Sequence, residues 1–329
     1  MRVVLLPGDG IGPEVAGAAR EILGELAPDL ELEEHVFGGA AIRETGTPLP
    51  DETLAACIAA DAVLLGAVGL PEFDAADVRP EQGLLGLRKS LGVYANLRPA
   101  IGGDIDLLVV RELVGGLYFG ARGTREDGTV FDTMEYHPDQ VVRIARRAFE
   151  LARGRRGRVC SVDKANVLDT SRMWRRVVTE VAAGHSDVEL EHLLVDTAAM
   201  RLVSDPQHFD VILTENMFGD ILSDEASAVT GGLGLAASAS LGDGGPGIFE
   251  PVHGSAPDIA GRGVANPAGM LRSVALMLDH GFDRPDSGRR LEAAVDLALA
   301  TTPTPDLGGT ATTAEATAAT LAALDGVRS

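Results

Sequence analysis

Residues 5–15, LLPGDGIGPEV, change from an apolar run into a glycine-rich turn and then into the start of a helix. The glycines at positions 8, 10 and 12 resemble the dinucleotide-binding pattern G-x-G-x-x-G, whose third glycine would fall at position 13. Pro13 stands there instead, and Asp9 lies inside the turn, where its carboxylate would repel a pyrophosphate. The stretch therefore predicts a tight strand-to-helix turn, with Pro13 and Glu14 in the first helical turn, and argues against phosphate binding there.

Short apolar runs and helical patterns alternate along the rest of the chain. The apolar runs that predict strands are residues 3–6, 62–65, 107–110, 159–162 and 211–214. The stretches that predict helices are residues 13–26, 138–153, 171–184 and 310–324. This alternation indicates an α/β fold with a mixed, largely parallel sheet. Residues 113–136 hold many glycines and no helical period, which predicts a hairpin or projecting arm.

The composition limits the class of protein. A chain of 329 residues with 45% hydrophobic content can build two domains or one large α/β unit. No run approaches the ~20 apolar residues of a membrane span, and the N-terminus lacks the pattern of a signal peptide, so we expect a cytoplasmic location. Cys57 and Cys160 stand alone, which favours small core residues over a disulfide or a thiolate zinc site.

The net charge of −21 argues against a nucleic-acid partner, because phosphate binding needs basic patches. Of the 28 basic residues, two are Lys, Lys89 and Lys164, so the other 26 are Arg. A GC-rich genome and a saline cytoplasm would both produce this bias, and the sequence does not separate them. A position that keeps Lys against this bias is a candidate for chemistry that Arg cannot perform.

Asp220 and Asp224 are four residues apart in an apolar segment that includes Phe218 and Ile221. On a helix the two carboxylates share one face, where like charges cost about 0.2–0.5 kcal/mol unless a cation lies between them. Taken alone, a solvated acidic face is the commoner interpretation in a chain with 49 acids. The apolar neighbours favour a metal site instead, and carboxylate ligands suit Mg²⁺ or Mn²⁺ better than zinc.

Lys164 follows the apolar run at 159–162. Arg stays protonated in proteins, whereas a buried Lys can lose its proton and act as a base. The position therefore fits proton transfer, and an ordinary salt bridge is an equally good interpretation of the residue alone.

Arg88, Arg98 and Arg111 lie at the expected ends of elements. Guanidinium groups bind carboxylates through bidentate hydrogen bonds, so these three arginines could hold a substrate with more than one carboxylate. Surface ion pairs are the alternative for any one of them. Leu84 and Leu85 precede Arg88 by about one helical turn. They would offer an apolar surface that suits a branched alkyl group of the substrate. The alternative is that both are core residues.

Residues 250–267, EPVHGSAPDIAGRGVANP, are too rich in Gly, Ala, Ser and Pro for an ordinary helix. A loop of this kind brings backbone N–H groups close to a ligand, and Asp258 could accept hydrogen bonds from sugar hydroxyls. The alternative is a long irregular surface loop. The apolar residues Val252, Ile259 and Val264 argue against disorder.

Several long motifs in this order resemble the β-decarboxylating dehydrogenases, the family that includes isopropylmalate, isocitrate, homoisocitrate and tartrate dehydrogenases. The motifs are GDGIGPE, LRKSLGVYANLRP, RELVGGLYFG, VDKANVL, FDVILTENMFGDILSD, GSAPDIAG and TPDLGG. They run from residue 8 to residue 309, so the resemblance covers nearly the whole chain. It departs from the family in a shorter segment between Pro99 and Asp106, and in Leu70, where a glycine is common.

The resemblance implies a set of site residues. Catalysis is implied for Tyr118, which would protonate the enol, and for Lys164, which would take the hydroxyl proton. Substrate binding is implied for Arg88, Arg98, Arg111 and Asp196, with Leu84 and Leu85 beside the alkyl group. Binding of Mg²⁺ or Mn²⁺ is implied for Asp196, Asp220 and Asp224. Binding of NAD is implied for Glu81, His253, Gly254, Ser255, Ala256, Pro257, Asp258, Ile259 and Asn266.

The resemblance also implies a fold and a function. The fold would have two α/β domains and would not be a true Rossmann fold. Residues 1–95 together with 232–329 would bind the cofactor. Residues 96–231 would form a homodimer through the arm, and Lys164 and Asp196 would reach into the partner's active site. The expected reaction is NAD-dependent oxidative decarboxylation of 3-isopropylmalate in leucine biosynthesis. Homoisocitrate, isocitrate, tartrate or malate is the alternative substrate, and a non-catalytic acidic metal-binding protein is the alternative of another class. No nucleic-acid or membrane partner is expected.

Overall fold

The computed structural model describes residues 1–326. Their contacts divide the chain into two compact units, one formed by residues 1–93 together with the chain from residue 233 onward, and the other by residues 94–232. The cofactor and dimerisation roles expected for two domains stay predictions.

The helices and strands are numbered in chain order. The strands are β1 Arg2–Gly8, β2 Glu31–Glu34, β3 Ala62–Ala67, β4 Ala95–Gly102, β5 Ile105–Glu112, β6 Arg122–Thr124, β7 Val130–Asp132, β8 Arg158–Asp163, β9 Glu189–Leu194, β10 Val211–Thr214, β11 Ala237–Leu241 and β12 Gly247–Pro251. The helices are α1 Gly12–Leu26, α2 Gly38–Thr45, α3 Asp51–Ala59, α4 Pro80–Ser90, α5 Pro138–Arg153, α6 Asp169–Ala182, α7 Val195–Ser204, α8 Asn216–Val229, α9 Ala268–Leu276, α10 Pro285–Thr301 and α11 Thr313–Gly326.

The first unit contains strands in the order β2-β1-β3-β12-β11. Neighbours are parallel except β11, which pairs antiparallel with β12. All residues of β3 are buried, as expected for a strand that is covered on both faces and therefore reads as a continuous apolar run. One buried core cluster on this sheet includes Val4, Leu6, Phe37, Val63, Leu65 and Leu87.

The second unit contains strands in the order β4-β5-β10-β8-β9. The pair β4–β5 is antiparallel, and the other neighbours are parallel. Residues 103 and 104 form the connection between β4 and β5, because Gly102 pairs directly with Ile105. The shortened segment is therefore a tight hairpin, in which Gly103 adopts a φ of +57° that favours glycine.

The predicted α/β class with a mixed, largely parallel sheet is confirmed. Each of the five predicted strands is present, and α5 has the predicted bounds of residues 138–153. Helix α6 starts and ends two residues before the prediction, and α11 begins at Thr313. The hairpin predicted within residues 113–136 is also confirmed, because β6 and β7 pair antiparallel there, whereas its role as an arm stays a prediction. The predicted loop at 250–267 was wrong at its start, since Glu250 and Pro251 belong to β12.

The glycine turn after β1 is closely packed. Gly10 has a φ of +59°, and a Cβ there would overlap the carbonyl oxygen of Ser255. A Cβ on Gly12, the first residue of α1, would overlap the carbonyl oxygen of Pro7. These glycines therefore allow close approach of backbone segments. The predicted strand-to-helix turn is confirmed.

Both cysteines are free and buried, as predicted. Burial raises the pKa of the Cys57 and Cys160 thiols to about 12, so both are poor nucleophiles. Within residues 1–326, none of the helices combines the length and apolar character that crossing a membrane requires.

Candidate active site

The second unit places Asp220 and Asp224 on one face of α8. The buried strand β10 leads directly into this helix, so its first turns lie at the carboxyl end of the parallel strands. The Asp220 side chain is 35% exposed and that of Asp224 is 53% exposed. The predicted i, i+4 arrangement of the two carboxylates is confirmed.

Arg111 lies at the end of β5, opposite Thr214 at the end of β10. Its side chain is almost fully buried. Nε and Nη2 donate to Oδ1 of Asn216 at 3.1 and 2.9 Å, and Nη1 donates to Oδ1 of Asp220. The neighbouring strand thus supplies the cation that partly neutralises the acidic face of α8.

Arg98, on β4, is a second cation at this face. Its Nε donates to Asn96 Oδ1 at 2.8 Å, and its Nη1 donates to Ser223 Oγ at 2.8 Å. Its guanidinium also lies 3.3 Å from Asp224 Oδ1 and 3.5 Å from Asp220 Oδ1. Asp220 and Asp224, two of the predicted metal-binding residues, are therefore each in contact with an arginine.

Tyr118 completes the cluster. Its Oη donates to Asp220 Oδ2 at 2.9 Å. Partial burial and the negative charge of Asp220 raise the pKa of Tyr118 above its usual value. The phenol is therefore protonated at neutral pH and can donate a proton. The structure brings together five predicted site residues here: Arg98, Arg111, Tyr118, Asp220 and Asp224.

Lys164 and Asp196 form a separate pair. Lys164 follows β8, Asp196 lies in the first turn of α7, and the Lys164 ammonium donates to Asp196 Oδ1. This bond lowers the pKa of Asp196. No group of three His, Cys, Asp or Glu side chains with metal-binding geometry occurs in the part of the chain that the structure describes. Asp196 therefore does not join Asp220 and Asp224 within one chain.

The predicted residues on α4 belong to the first unit. Arg88 Nη2 donates to Glu250 Oε1 at 2.8 Å, and both side chains are nearly buried, at 12% and 11% exposure. Leu84 packs partly buried against the core cluster, as the core interpretation expects. Leu85 is 37% exposed and remains available to a ligand.

The predicted cofactor loop connects β12 to α9 in the first unit. The carbonyl oxygen of Ser255 accepts a hydrogen bond from the backbone N–H of Ile11 at 2.8 Å. His253 Nδ1 lies 2.9 Å from the Gly254 carbonyl oxygen, whereas its Nε2 is buried without a hydrogen-bond partner. Burial lowers the pKa of His253, so its imidazole is neutral at pH 7. Ala256 adopts an uncommon φ of +39°.

The other predicted cofactor residues differ in exposure. Gly254, Pro257 and Asp258 are exposed, and Ile259 is half-buried. Asn266 is buried, donates to Asp306 Oδ2 at 3.0 Å and accepts from the backbone N–H of Ala268 at 3.0 Å. A Cβ built on Gly69 would lie 3.0 Å from Glu81 Oε1, which places Glu81 beside the loop after β3.

Comparison with known proteins identifies the family. The sequence profile of the family described as isocitrate/isopropylmalate dehydrogenase matches residues 2–321. The chain belongs to this family. It is an oxidoreductase by this membership, and the resemblance drawn from the sequence motifs is confirmed.

The relatives within the isocitrate/isopropylmalate dehydrogenase family cover nearly the whole chain. A protein of Oleidesulfovibrio alaskensis named 3-isopropylmalate dehydrogenase is 54% identical, over 91% of this chain and 91% of its own length. One of Oceanobacillus iheyensis with the same name is 51% identical, over 89% of this chain and 86% of its own length. A crystal structure described as isocitrate dehydrogenase from Methylococcus capsulatus has a TM-score of 0.92 at 37% identity, covering 98% of this chain and 99% of that chain.

Asn216 and Glu112, which the sequence did not single out, hold the backbone and side chains around Arg111 and Tyr118. Asn216 accepts from Arg111, its Nδ2 donates to the Gly115 carbonyl oxygen at 3.0 Å, and its backbone N–H donates to Tyr136 Oη at 2.8 Å. Glu112 is fully buried and accepts from backbone N–H groups that precede Tyr118. Burial raises the pKa of Glu112 to about 7. The available signal was a polar residue two positions after each predicted buried strand, at Glu112 after residues 107–110 and at Asn216 after residues 211–214.

Glu215, at the start of α8, supports a prediction about pH and stability. It is fully buried, accepts from Ser171 Oγ at 2.6 Å, and has one oxygen without a partner. Burial raises its pKa from 4.5 to about 7. Folding therefore takes up a proton, and the stability from this residue falls as pH rises between these values, by up to about 1.4 kcal/mol per pH unit.

Glu215→Gln should remove this contribution. Because the amide does not titrate, the free energy of unfolding should fall less between pH 5 and pH 7 in the variant than in the unmodified chain, as measured by urea unfolding. The exposed Glu126 serves as the control, since Glu126→Gln should leave the pH profile unchanged. Parallel profiles for Glu215→Gln and the unmodified chain would contradict the prediction.

Proposed function

We propose that this chain catalyses the oxidation of 3-isopropylmalate to 4-methyl-2-oxopentanoate and CO₂ with reduction of NAD, a step of leucine biosynthesis. The observation that carries the proposal is the cluster of Arg98, Arg111 and Tyr118 around Asp220. It occurs in a chain about half identical to relatives named 3-isopropylmalate dehydrogenase. The cluster combines carboxylate-binding groups, a proton donor and an acidic helix face.

The acidic face fits a divalent metal. Asp220 and Asp224 offer carboxylate oxygens, the donors that Mg²⁺ and Mn²⁺ prefer, and both are accessible enough to exchange their arginine contacts for another cation. Asp196 of a second subunit would complete the set. When bound, the metal polarises the hydroxyl and adjacent carboxylate of the substrate and stabilises negative charge on oxygen.

The chain's own residues then have distinct tasks. Arg88, Arg98 and Arg111 bind the substrate carboxylates, because the guanidinium fork matches their geometry. Lys164, in its deprotonated form, would accept the proton of the substrate hydroxyl, and the hydride would pass to NAD from the carbon that bears this hydroxyl. After CO₂ departs from the β-keto acid, Tyr118 Oη donates a proton to the resulting enol carbon. The raised pKa of Tyr118 keeps that proton in place until it is needed.

The loop after β12 fits a nucleotide cofactor. The unpartnered Nε2 of His253 is a buried polar atom that a ligand group can satisfy. Asp258 is exposed, and its carboxylate favours the ribose hydroxyls of NAD over the 2′-phosphate of NADP. Ser255, Asn266 and Glu81 would contribute to the same site. NAD supplies the hydride acceptor.

A homodimer with shared sites is part of the proposal. Helices α7 and α8 pack together and expose Met200, Val203 and Ile221, at 72%, 66% and 59% exposure. Apolar surface of this kind favours burial against a partner. A second copy would also bring its own Lys164 and Asp196. The cytoplasm is the proposed location, since it holds the NAD pool that the reaction uses.

NADH absorbance tests the function directly. The purified chain is assayed with 3-isopropylmalate, isocitrate, homoisocitrate, tartrate and malate, with NAD and with NADP, in the presence of Mg²⁺ or Mn²⁺. We expect the highest kcat/KM with 3-isopropylmalate and NAD. Isocitrate is the second candidate, favoured by the similarity to the Methylococcus capsulatus structure. A higher kcat/KM for isocitrate would overturn the substrate, and no NADH with any substrate would support the non-catalytic alternative.

Leu85 carries the prediction about substrate choice. Because Leu84 belongs to the core and Leu85 is exposed, only Leu85 can be changed without disturbing packing. Leu85→Asn should lower kcat/KM for 3-isopropylmalate by ~10-fold or more, since an apolar contact with the alkyl group is lost, and should change kcat/KM for malate little. Leu297→Asn, on an exposed position of α10, is the matched control. Equal losses for both substrates would contradict this role of Leu85.

A further inference from the structure

Asp9, in the glycine turn after β1, is a buried carboxylate that takes no part in the chemistry described above. It is 2% exposed. Its Oδ2 accepts from the backbone N–H groups of Gly39 and Gly69, each at 2.9 Å, and its Oδ1 accepts from Ala40 N–H at 2.9 Å. Its own backbone N–H donates to the Ala67 carbonyl oxygen at 2.9 Å. One side chain thus joins the turn, the start of α2 and the loop after β3.

The segments that Asp9 joins meet the proposed cofactor residues. Ile11, two residues further on, donates its backbone N–H to the Ser255 carbonyl oxygen, and Gly10 packs directly on Ser255. A Cβ built on Gly69 would lie 3.0 Å from Glu81 Oε1 and 3.9 Å from Ser255 Oγ. Gly69 therefore lies between two residues proposed to contact NAD, in a left-handed conformation with φ +116°.

The backbone N–H groups around Asp9 require a side chain that only accepts hydrogen bonds. Three backbone N–H groups point at the carboxylate of Asp9, and an ionised carboxylate can accept from all of them. An amide would turn an NH₂ group toward at least one of these donors, leaving a buried N–H without a partner. The amide nitrogen would cost the bond to Ala40 if it replaced Oδ1, and the bonds to Gly39 and Gly69 if it replaced Oδ2. Either loss would loosen the contacts that hold the Gly69 loop to the turn, although no residue that contacts the ligand has changed.

We propose that Asp9 is a positioning residue that fixes the Gly69 loop against Ser255 and Glu81 and thereby sets the affinity for NAD. This inference rests on the proposed function. It also gives a role to the acid inside the glycine turn, because Asp9 orders the neighbouring backbone through hydrogen bonds.

Asp9→Asn provides the test. We expect the Kd for NADH, measured by fluorescence titration, and the KM for NAD to rise at least ~10-fold, while the KM for 3-isopropylmalate stays within about twofold. Asp210→Asn is the matched control. Asp210 is also a buried carboxylate that accepts a backbone N–H, from Arg158 at 3.1 Å, and it lies outside the proposed site. The control should lower the melting temperature without a selective change in NADH affinity.

These measurements distinguish a failure of the positioning role of Asp9 from a failure of the proposed NAD-dependent function. If Asp9→Asn lowers the melting temperature as Asp210→Asn does but leaves the Kd for NADH unchanged, the positioning role is overturned. If Asp9→Asn does not fold, Asp9→Glu keeps the carboxylate, shifts it by one methylene and should still weaken NADH binding selectively; unchanged binding in that variant overturns the proposal. If the unmodified chain binds no NADH, the proposed function fails first, and this inference fails with it.

Discussion

Asp220→Asn is expected to lower kcat/KM for 3-isopropylmalate by ~10³-fold or more, the largest effect of any single change proposed. The carboxylate contacts Arg98, Arg111 and Tyr118 and is a proposed ligand of the metal. An amide is a weaker ligand for Mg²⁺ and leaves the two cations with one acidic partner fewer. The loss of metal stabilisation of the transition state alone amounts to several kcal/mol, and each 1.36 kcal/mol is about tenfold in rate.

Metal binding can be measured without turnover. Calorimetric titration with Mn²⁺ should show weaker binding by Asp220→Asn, and EDTA should abolish the activity of the unmodified chain. Glu225, on α8 but outside the cluster, supplies the control, because Glu225→Gln should retain metal binding and activity. Full activity of the unmodified chain in EDTA would rule out the metal requirement.

Lys164→Arg is expected to lower kcat by ~10²-fold or more, although the positive charge is kept. An arginine side chain does not deprotonate, so it can hold Asp196 but cannot accept the hydroxyl proton of the substrate. The loss should appear mainly in kcat. A variant with nearly normal kcat would show that Lys164 serves only in its ion pair with Asp196.

Mixing variants tests whether Lys164 acts across a dimer. A Lys164→Ala chain paired with an Asp220→Asn chain would form one intact site, in which Asp220 of the first chain meets Lys164 of the second. Random pairing of equal amounts should therefore restore about a quarter of the unmodified activity. As a control, Lys164→Ala mixed with the Lys164→Ala, Asp220→Asn double variant should restore none. Absence of rescue despite demonstrated subunit exchange would place the complete site within one chain.

The sequence by itself predicted the local secondary structure of the chain. The parallel strands are covered on both faces and therefore appear as continuous apolar runs, as residues 62–65 and 107–110 show. The spacing of Asp220 and Asp224 follows from the 3.6-residue helical period, which is a property of neighbouring residues alone. Pro13 in the first turn of α1 and Pro138 at the start of α5 likewise act through their own backbone geometry.

The long-range pairings were decided only by the tertiary structure. The sequence named Arg98, Arg111 and Tyr118 as site residues through resemblance, but not that all three contact Asp220, more than 100 residues away along the chain. That meeting depends on β5 lying beside β10, because the pairing places Arg111 opposite Thr214, just before α8 begins.

The same distinction between local and long-range structure applies to residues 5–15. The sequence of residues 5–15 was sufficient to exclude a Rossmann phosphate loop, because that pattern depends on glycine spacing alone. It could not show that the Asp9 carboxylate accepts from Gly39 and Gly69, which are 30 and 60 residues away. Local conformation is set by adjacent residues, whereas the partner of a buried charge is set by which backbone donors the packed sheet and helices bring to it.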